Sequence, residues 1–171
     1  FLQSAELCLN KMKFIKQKIK NLYVIKPRLI KDVRGSFRRS FCLNEFLKKK
    51  IKFRCVQINI SENIKKGTLR GFHFHKTLKS EPKVITCFKG KLFLCIIDLR
   101  KKSSTYKKKV SLILSSKNKQ SVHIPFGCAN AFLTLENDTI VHYLMGEYYK
   151  KKYDSGFNFQ SANLKVKWPI K

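Results

Sequence analysis

The chain has 171 residues, with 38 Lys+Arg against 10 Asp+Glu and a formal net charge of +28. At 43% hydrophobic it carries enough apolar material for one packed domain, and its strongest apolar run, Leu92 to Ile97, is far short of the ~20 residues a membrane helix needs. The positive charge is spread from Lys11 to Lys171, with its clusters (48–50, 107–109, 150–152) beside predicted strands or turns. That is a solvated surface with a general attraction for anionic small molecules such as diphosphates, not a nucleic-acid-binding stripe or a membrane-binding face.

Ser4 to Leu22 has helix-like apolar spacing at Leu9, Met12, Ile15, Ile19 and Leu22 within a lysine-rich stretch, and residues 1–22 read as an N-terminal extension. The part before Met12 reads as upstream sequence. A single domain is expected over 23–171. It starts with a strand at Tyr23–Ile25 stopped by Pro27, a turn at Asp32-Val33-Arg34-Gly35, and a short helix over Leu43–Lys50 with Asn44 as its cap. Short strands then follow at roughly ten-residue intervals: Phe53–Ile60, Thr68–Phe74, Lys83–Phe88, Lys91–Asp98, Lys109–Leu114, Ser121–Ile124, Asn130–Leu135 and Ile140–Tyr143. Evenly spaced short strands predict an all-β sandwich or small barrel. Its core is expected from Val56, Ile58, Ile85, Leu92, Leu94, Ile96, Leu112, Leu114, Ile124, Phe132 and Leu133.

Six cysteines (Cys8, Cys42, Cys55, Cys87, Cys95, Cys128) form no C-x-x-C pair, and several lie in apolar runs. Buried free thiols in a reducing cytoplasm are the expected reading. The four histidines are His73, His75, His123 and His142. His73 and His75 share a strand face, whereas Arg70, three residues before His73, projects to the other face unless a bulge intervenes. With Lys83 and Tyr143 from other strands, these groups would suit an anionic substrate and proton transfer inside a barrel. Gly67, His73, His75, Glu81 and Gly90, followed by Pro125-Phe126-Gly127 and Asn130, also approximate two metal-binding cupin motifs. Asn130 stands where that pattern needs a histidine, so no metal is expected.

Several segments in order carry a family resemblance: Asp32-Val33-Arg34-Gly35-Ser36-Phe37, Gln57-Ile58-Asn59-Ile60-Ser61, Gly67-Thr68-Leu69-Arg70-Gly71-Phe72-His73-Phe74, Lys83-Val84, Asp98-Leu99-Arg100 with Ser103-Ser104-Thr105-Tyr106, Ile124-Pro125-x-Gly127-x-Ala129-x-Ala131-Phe132, Tyr143, Tyr148-Tyr149 and Trp168-Pro169. Together they resemble the dTDP-4-dehydrorhamnose 3,5-epimerases, from about Tyr23 to Pro169. The resemblance implies a cupin-type jelly roll with a few short helices, a homodimer without cofactor, and a nucleotide-linked 4-keto-6-deoxy-hexose as substrate. It assigns His73 as base, Tyr143 as acid, Lys83 as the cation that meets the enolate, and Arg70 as the diphosphate clamp. It makes Arg34, Phe37, Gln57, Asn59, Asn130, Tyr148 and His75 substrate-binding positions, some of them reaching across a dimer interface. A single-position 3-epimerase, a 3,4-ketoisomerase and an inactive sugar-nucleotide-binding module are the alternatives on the same scaffold.

Three departures stand out. Asn130 replaces a family histidine, Arg39 reverses the charge of a family glutamate at a substrate-facing position, and His75 replaces a glutamine. The family's aspartate partner for the catalytic histidine falls in a segment after Trp168-Pro169, beyond Lys171, so the expectation is a chain lacking its C-terminal tail, with a divergent member of weaker or altered chemistry as the alternative.

Overall fold

The computed structural model describes residues 11–76, 81–158 and 164–170. In chain order its strands are β1 (Lys13–Lys16), β2 (Tyr23–Lys26), β3 (Leu29–Asp32), β4 (Gly35–Arg38), β5 (Gln57–Asn63), β6 (Leu69–His75), β7 (Lys83–Lys89), β8 (Lys91–Asp98), β9 (Lys109–Ser115), β10 (Ser121–Ile124), β11 (Cys128–Thr134), β12 (Thr139–Met145) and β13 (Asp154–Gly156); one helix, α1 (Leu43–Lys48), lies between β4 and β5. They form a six-stranded sheet, β1-β2-β10-β7-β12-β5, a five-stranded sheet, β13-β6-β11-β8-β9, and the β3-β4 hairpin. Every pairing is antiparallel.

Alternation along the strands explains the layering. In β8, Leu92, Leu94 and Ile96 point between the sheets and join Ile85, Val122, Ile124, Phe132 and Val141 in the central core. Their neighbours Cys95 and Ile97 point outward and are covered by Phe157, Leu164, Val166 and Trp168. On the outer face of the larger sheet, Tyr23, Ile25, Val84 and Leu144 pack beneath Phe46 of α1, with Ile51 and Phe53. Truncating a fully enclosed leucine such as Leu94 costs about 2–5 kcal/mol.

The chain from Lys11 onward is part of this sandwich, which corrects the helical reading of the extension; residues 1–10, with Cys8, lie outside the described residues. Phe14 and Ile15 sit in β1, paired with β2, and Ile19 and Leu22 reach the central core from the connecting turn. The apolar spacing arises from a strand followed by a turn. Asn21 takes a left-handed φ of 67° there, which asparagine tolerates better than most residues. Helix α1 is capped by Cys42, without a side-chain bond, so Asn44 is not its cap. Ile58, expected in the core, is 59% exposed because β5 is an edge strand beyond the cover of α1, and Val56 and Leu112 are only half-buried.

Two motif segments serve the fold. Asp98, fully buried, accepts Arg100 Nε and Nη2, each at 2.8 Å, and the hydroxyls of Ser103 (2.7 Å) and Thr105 (2.6 Å). Burial alone would raise its pKa, but these donors outweigh it and hold the carboxyl at about 2. Arg100 also donates to the Lys20 carbonyl, tying the β1–β2 turn to β8. Arg39, read as substrate-facing, instead pairs with Glu45 of α1 at 2.6 Å, and Glu45 also accepts the Met12 amide.

Candidate active site

The site starts from an irregularity in β6. Asn130 lies opposite His73 and Phe132 opposite Arg70, so Gly71 and Phe72 together face Ala131 alone. This bulge shifts the alternation by one residue and turns both Arg70 and His73 toward the facing sheet. Gly71 makes it possible. Its φ is +115°, and a Cβ there would lie 2.6 Å from the Asn130 carbonyl oxygen and 2.7 Å from Ala131 Cα.

Both side chains line a cavity of about 280 Å³ bounded by strands of both sheets. The five-stranded sheet supplies Arg70, His73, Asn130, Phe132 and Asp154; the six-stranded sheet supplies Asn59, Ile60, Ser61, Lys83, Tyr143 and Met145; Glu81 and Tyr149 complete the wall. His73 and Tyr143 therefore stand on opposite sheets across one space. A larger surface basin of about 530 Å³, lined by Lys20, Asn21, Arg100, Lys101, Lys102, Ser103 and Phe126, holds cations but no histidine or tyrosine.

Arg70 and Lys83 are held from behind. Arg70 Nε donates to Asn63 Oδ1 at 2.8 Å, and Asn63, itself buried, donates to the carbonyls of Ser61 and Thr139. Lys83, 6% exposed, lies 3.2 Å from Glu81 Oε2. Burial pushes the Tyr143 phenol upward, with the charge of Arg70 pulling the other way, so the hydroxyl keeps its proton at neutral pH. Asn130 Oδ1 is buried with no hydrogen-bond partner among the described residues.

Of the residues read from sequence, the cavity gathers His73, Tyr143, Lys83, Arg70, Asn59 and Asn130. Gln57 stands behind the rim, donating to Asn59 Oδ1 and accepting the Tyr149 amide. Four others lie elsewhere. Arg34 and Phe37 are on the β3–β4 hairpin, where Arg34 pairs with Asp32 at 2.6 Å. Tyr148 is exposed, and its neighbour Tyr149 takes the place at the wall. His75 keeps the strand parity of His73 but packs against the Tyr153 ring, 5.0 Å between centroids. Of the metal-like spacing only His73, Glu81 and Asn130 reach the cavity, and among the described residues no three His, Cys, Asp or Glu side chains are grouped to hold a metal.

The family model described as dTDP-4-dehydrorhamnose 3,5-epimerase matches residues 16–171. The chain belongs to this family. An epimerase of that name from Methanothermobacter thermautotrophicus is 34% identical over 158 residues, 92% of this chain and 84% of the relative. The crystal structure of the Bacillus anthracis epimerase with TDP and pyrophosphate bound superposes with a TM-score of 0.91 at 35% identity, covering 94% of this chain and 92% of that one. A Legionella pneumophila epimerase in complex with dTDP-4-keto-L-rhamnose gives a TM-score of 0.88 at 30% identity, covering 94% and 85%. As a 3,5-epimerase family member the chain is an isomerase on a cupin-type jelly roll. Within that scaffold, sequence reasoning missed Glu81 as a partner of Lys83, and Tyr149 and Asp154 at the rim. The first was quoted only as a metal-like position, and the other two lie on the connection out of β12 and the short β13, where no periodicity marks a face.

Proposed function

We propose that this chain epimerises a dTDP-linked 4-keto-6-deoxy-hexose at C3 and C5 in the cytoplasm, with His73 as base and Tyr143 as acid. The observation that carries the assignment is their placement on facing sheets across one cavity. Inversion requires a proton to leave one face of a carbon and another to arrive on the opposite face. A base and an acid on opposite walls do this without turning the sugar.

The C4 ketone acidifies the C–H bonds at C3 and C5. His73 takes the proton as the C–H electron pair moves into the enolate and negative charge gathers on the C4 oxygen. Lys83 supplies a fixed cation for that oxygen, where preorganised charge has its largest effect. Tyr143 delivers its hydroxyl proton to the other face; solvent then reprotonates the phenolate and takes the proton from His73. Arg70, anchored through Nε, leaves its terminal nitrogens for the diphosphate. The unpartnered Oδ1 of Asn130 offers an acceptor for a sugar hydroxyl.

We further propose a homodimer. Among the described residues β5 is an edge strand with no backbone partner on its outer side, and its Ile58 (59%) and Ile60 (62%), the latter also at the cavity rim, are exposed. The test of the acid–base assignment is proton exchange. In D2O, His73→Ala should abolish deuterium incorporation at both carbons while dTDP still binds, whereas Tyr143→Phe should retain wash-in and lose inversion. Undiminished exchange by His73→Ala contradicts the assignment.

A further inference from the structure

We infer that Glu81 is a positioning residue for Lys83, holding the ammonium as a fixed, oriented donor at the site of the developing enolate; this rests on the role proposed above for Lys83. Acids are scarce in this chain, 10 in 171 residues, yet Glu81 lines the cavity with His73 and Tyr143. Its carboxylate meets Lys83 Nζ at 3.2 Å, and the two side chains are only 15% and 8% exposed. Exposed lysine pairs contribute little, but a desolvated one fixes geometry.

The backbone is built to deliver this carboxylate. Glu81 has a φ of 73°, a left-handed conformation that costs an L-residue free energy, and it directly precedes a proline. The next residue is clamped: the Pro82 carbonyl accepts the Gly146 amide at 2.8 Å, and a Cβ on Gly146 would stand 2.6 Å from Pro82 Cγ. Glu81-Pro82-Lys83 is thus locked to the end of β12, the strand that carries Tyr143. An ammonium has three N–H donors. With one engaged by Glu81, the other two are restricted in direction, so the cation need not reorganise when charge reaches the ketone oxygen.

The test compares Glu81→Gln, which keeps shape and removes charge, in the wild-type and Lys83→Met backgrounds, reading kcat and KM by solvent deuterium incorporation and fold integrity by dTDP binding. In the wild-type background kcat should fall by about 10-fold while KM changes by less than about two-fold. In the Lys83→Met background Glu81→Gln should cause no further loss, because the two residues act as a unit. Glu81→Asp, one methylene short, should give an intermediate kcat and serves if the glutamine variant does not fold. An unchanged kcat in Glu81→Gln, or an equal loss in both backgrounds, overturns the proposal and leaves the epimerase reading intact. Absence of exchange in the wild type overturns that reading and this proposal with it.

Discussion

Replacing Gly71 with alanine perturbs the site at the point where the fold creates it. The new Cβ would meet the Asn130 carbonyl oxygen at 2.6 Å, Ala131 Cα at 2.7 Å and Ala131 Cβ at 2.8 Å, roughly 0.8 Å or more inside comfortable van der Waals separation. Two of these three atoms are backbone of β11, the central strand of the five-stranded sheet, so no side-chain rotation relieves the overlap. Overpacking of this kind costs about 1–3 kcal/mol, and the left-handed φ adds about 1–2 kcal/mol for a residue with a Cβ. A loss of about 3–4 kcal/mol lowers Tm by about 10 °C in a domain of this size. The catalytic loss should be larger in proportion. Relief by flattening the bulge turns Arg70 away from His73, and relief by separating β6 from β11 moves His73 off Asn130; a displacement near 1 Å costs on the order of 100-fold in rate. Calorimetry and the deuterium exchange rate together measure both effects. A Gly71→Ala variant with wild-type Tm and exchange would refute the claim that this bulge builds the site.

Three further outcomes follow from particular groups. Burial of His123 among Tyr23, Phe46 and Phe53 depresses its pKa to about 4, against the upward pull of the Asn21 carbonyl on its Nδ1. Its contribution is therefore intact above an unfolded value of about 6.5 and lost as pH falls toward 4, about 3 kcal/mol in all; urea titrations should show this pH dependence shrinking by that amount in His123→Phe. Asp98 works in the same direction at lower pH, contributing about 2 kcal/mol that disappears between roughly pH 4 and 2; Asp98→Asn, which strands the Arg100 guanidinium, should cost about 3 kcal/mol at neutral pH by the same titration. Ile58→Lys combined with Ile60→Lys should convert a dimer into a folded monomer by light scattering, and an unchanged mass would place the interface elsewhere.

The strands were legible where both faces of a segment have something to pack against. Lys91–Asp98 and Ser121–Ile124 have the bounds predicted from alternation, because their two faces enter different cores. β1 was not legible: its lysines stand at both ends of a four-residue strand, and the apolar residues that follow belong to a turn. At the site, the parity problem of Arg70 and His73 was visible in the sequence, and Gly71 was the residue able to solve it, but only the register of β6 on β11 shows the bulge. Parity also misleads at His75, since it assigns a face and says nothing of the Tyr153 ring that covers it. Glu81 and Tyr149 sit in connections whose paths depend on tertiary anchors, the Gly146–Pro82 contact and the Gln57–Tyr149 bond. Cys87 and Cys128 are buried, and that burial raises their thiols to about 11 and about 12, in line with inert thiols.

The central claim is that one base and one acid on facing sheets serve both carbons beside the ketone. Incubating the wild-type chain with dTDP-4-keto-6-deoxyglucose in D2O and reading the product by NMR tests it most directly. The account predicts deuterium at both C3 and C5 with inversion at each, whereas deuterium at one carbon only, or at neither, would contradict it.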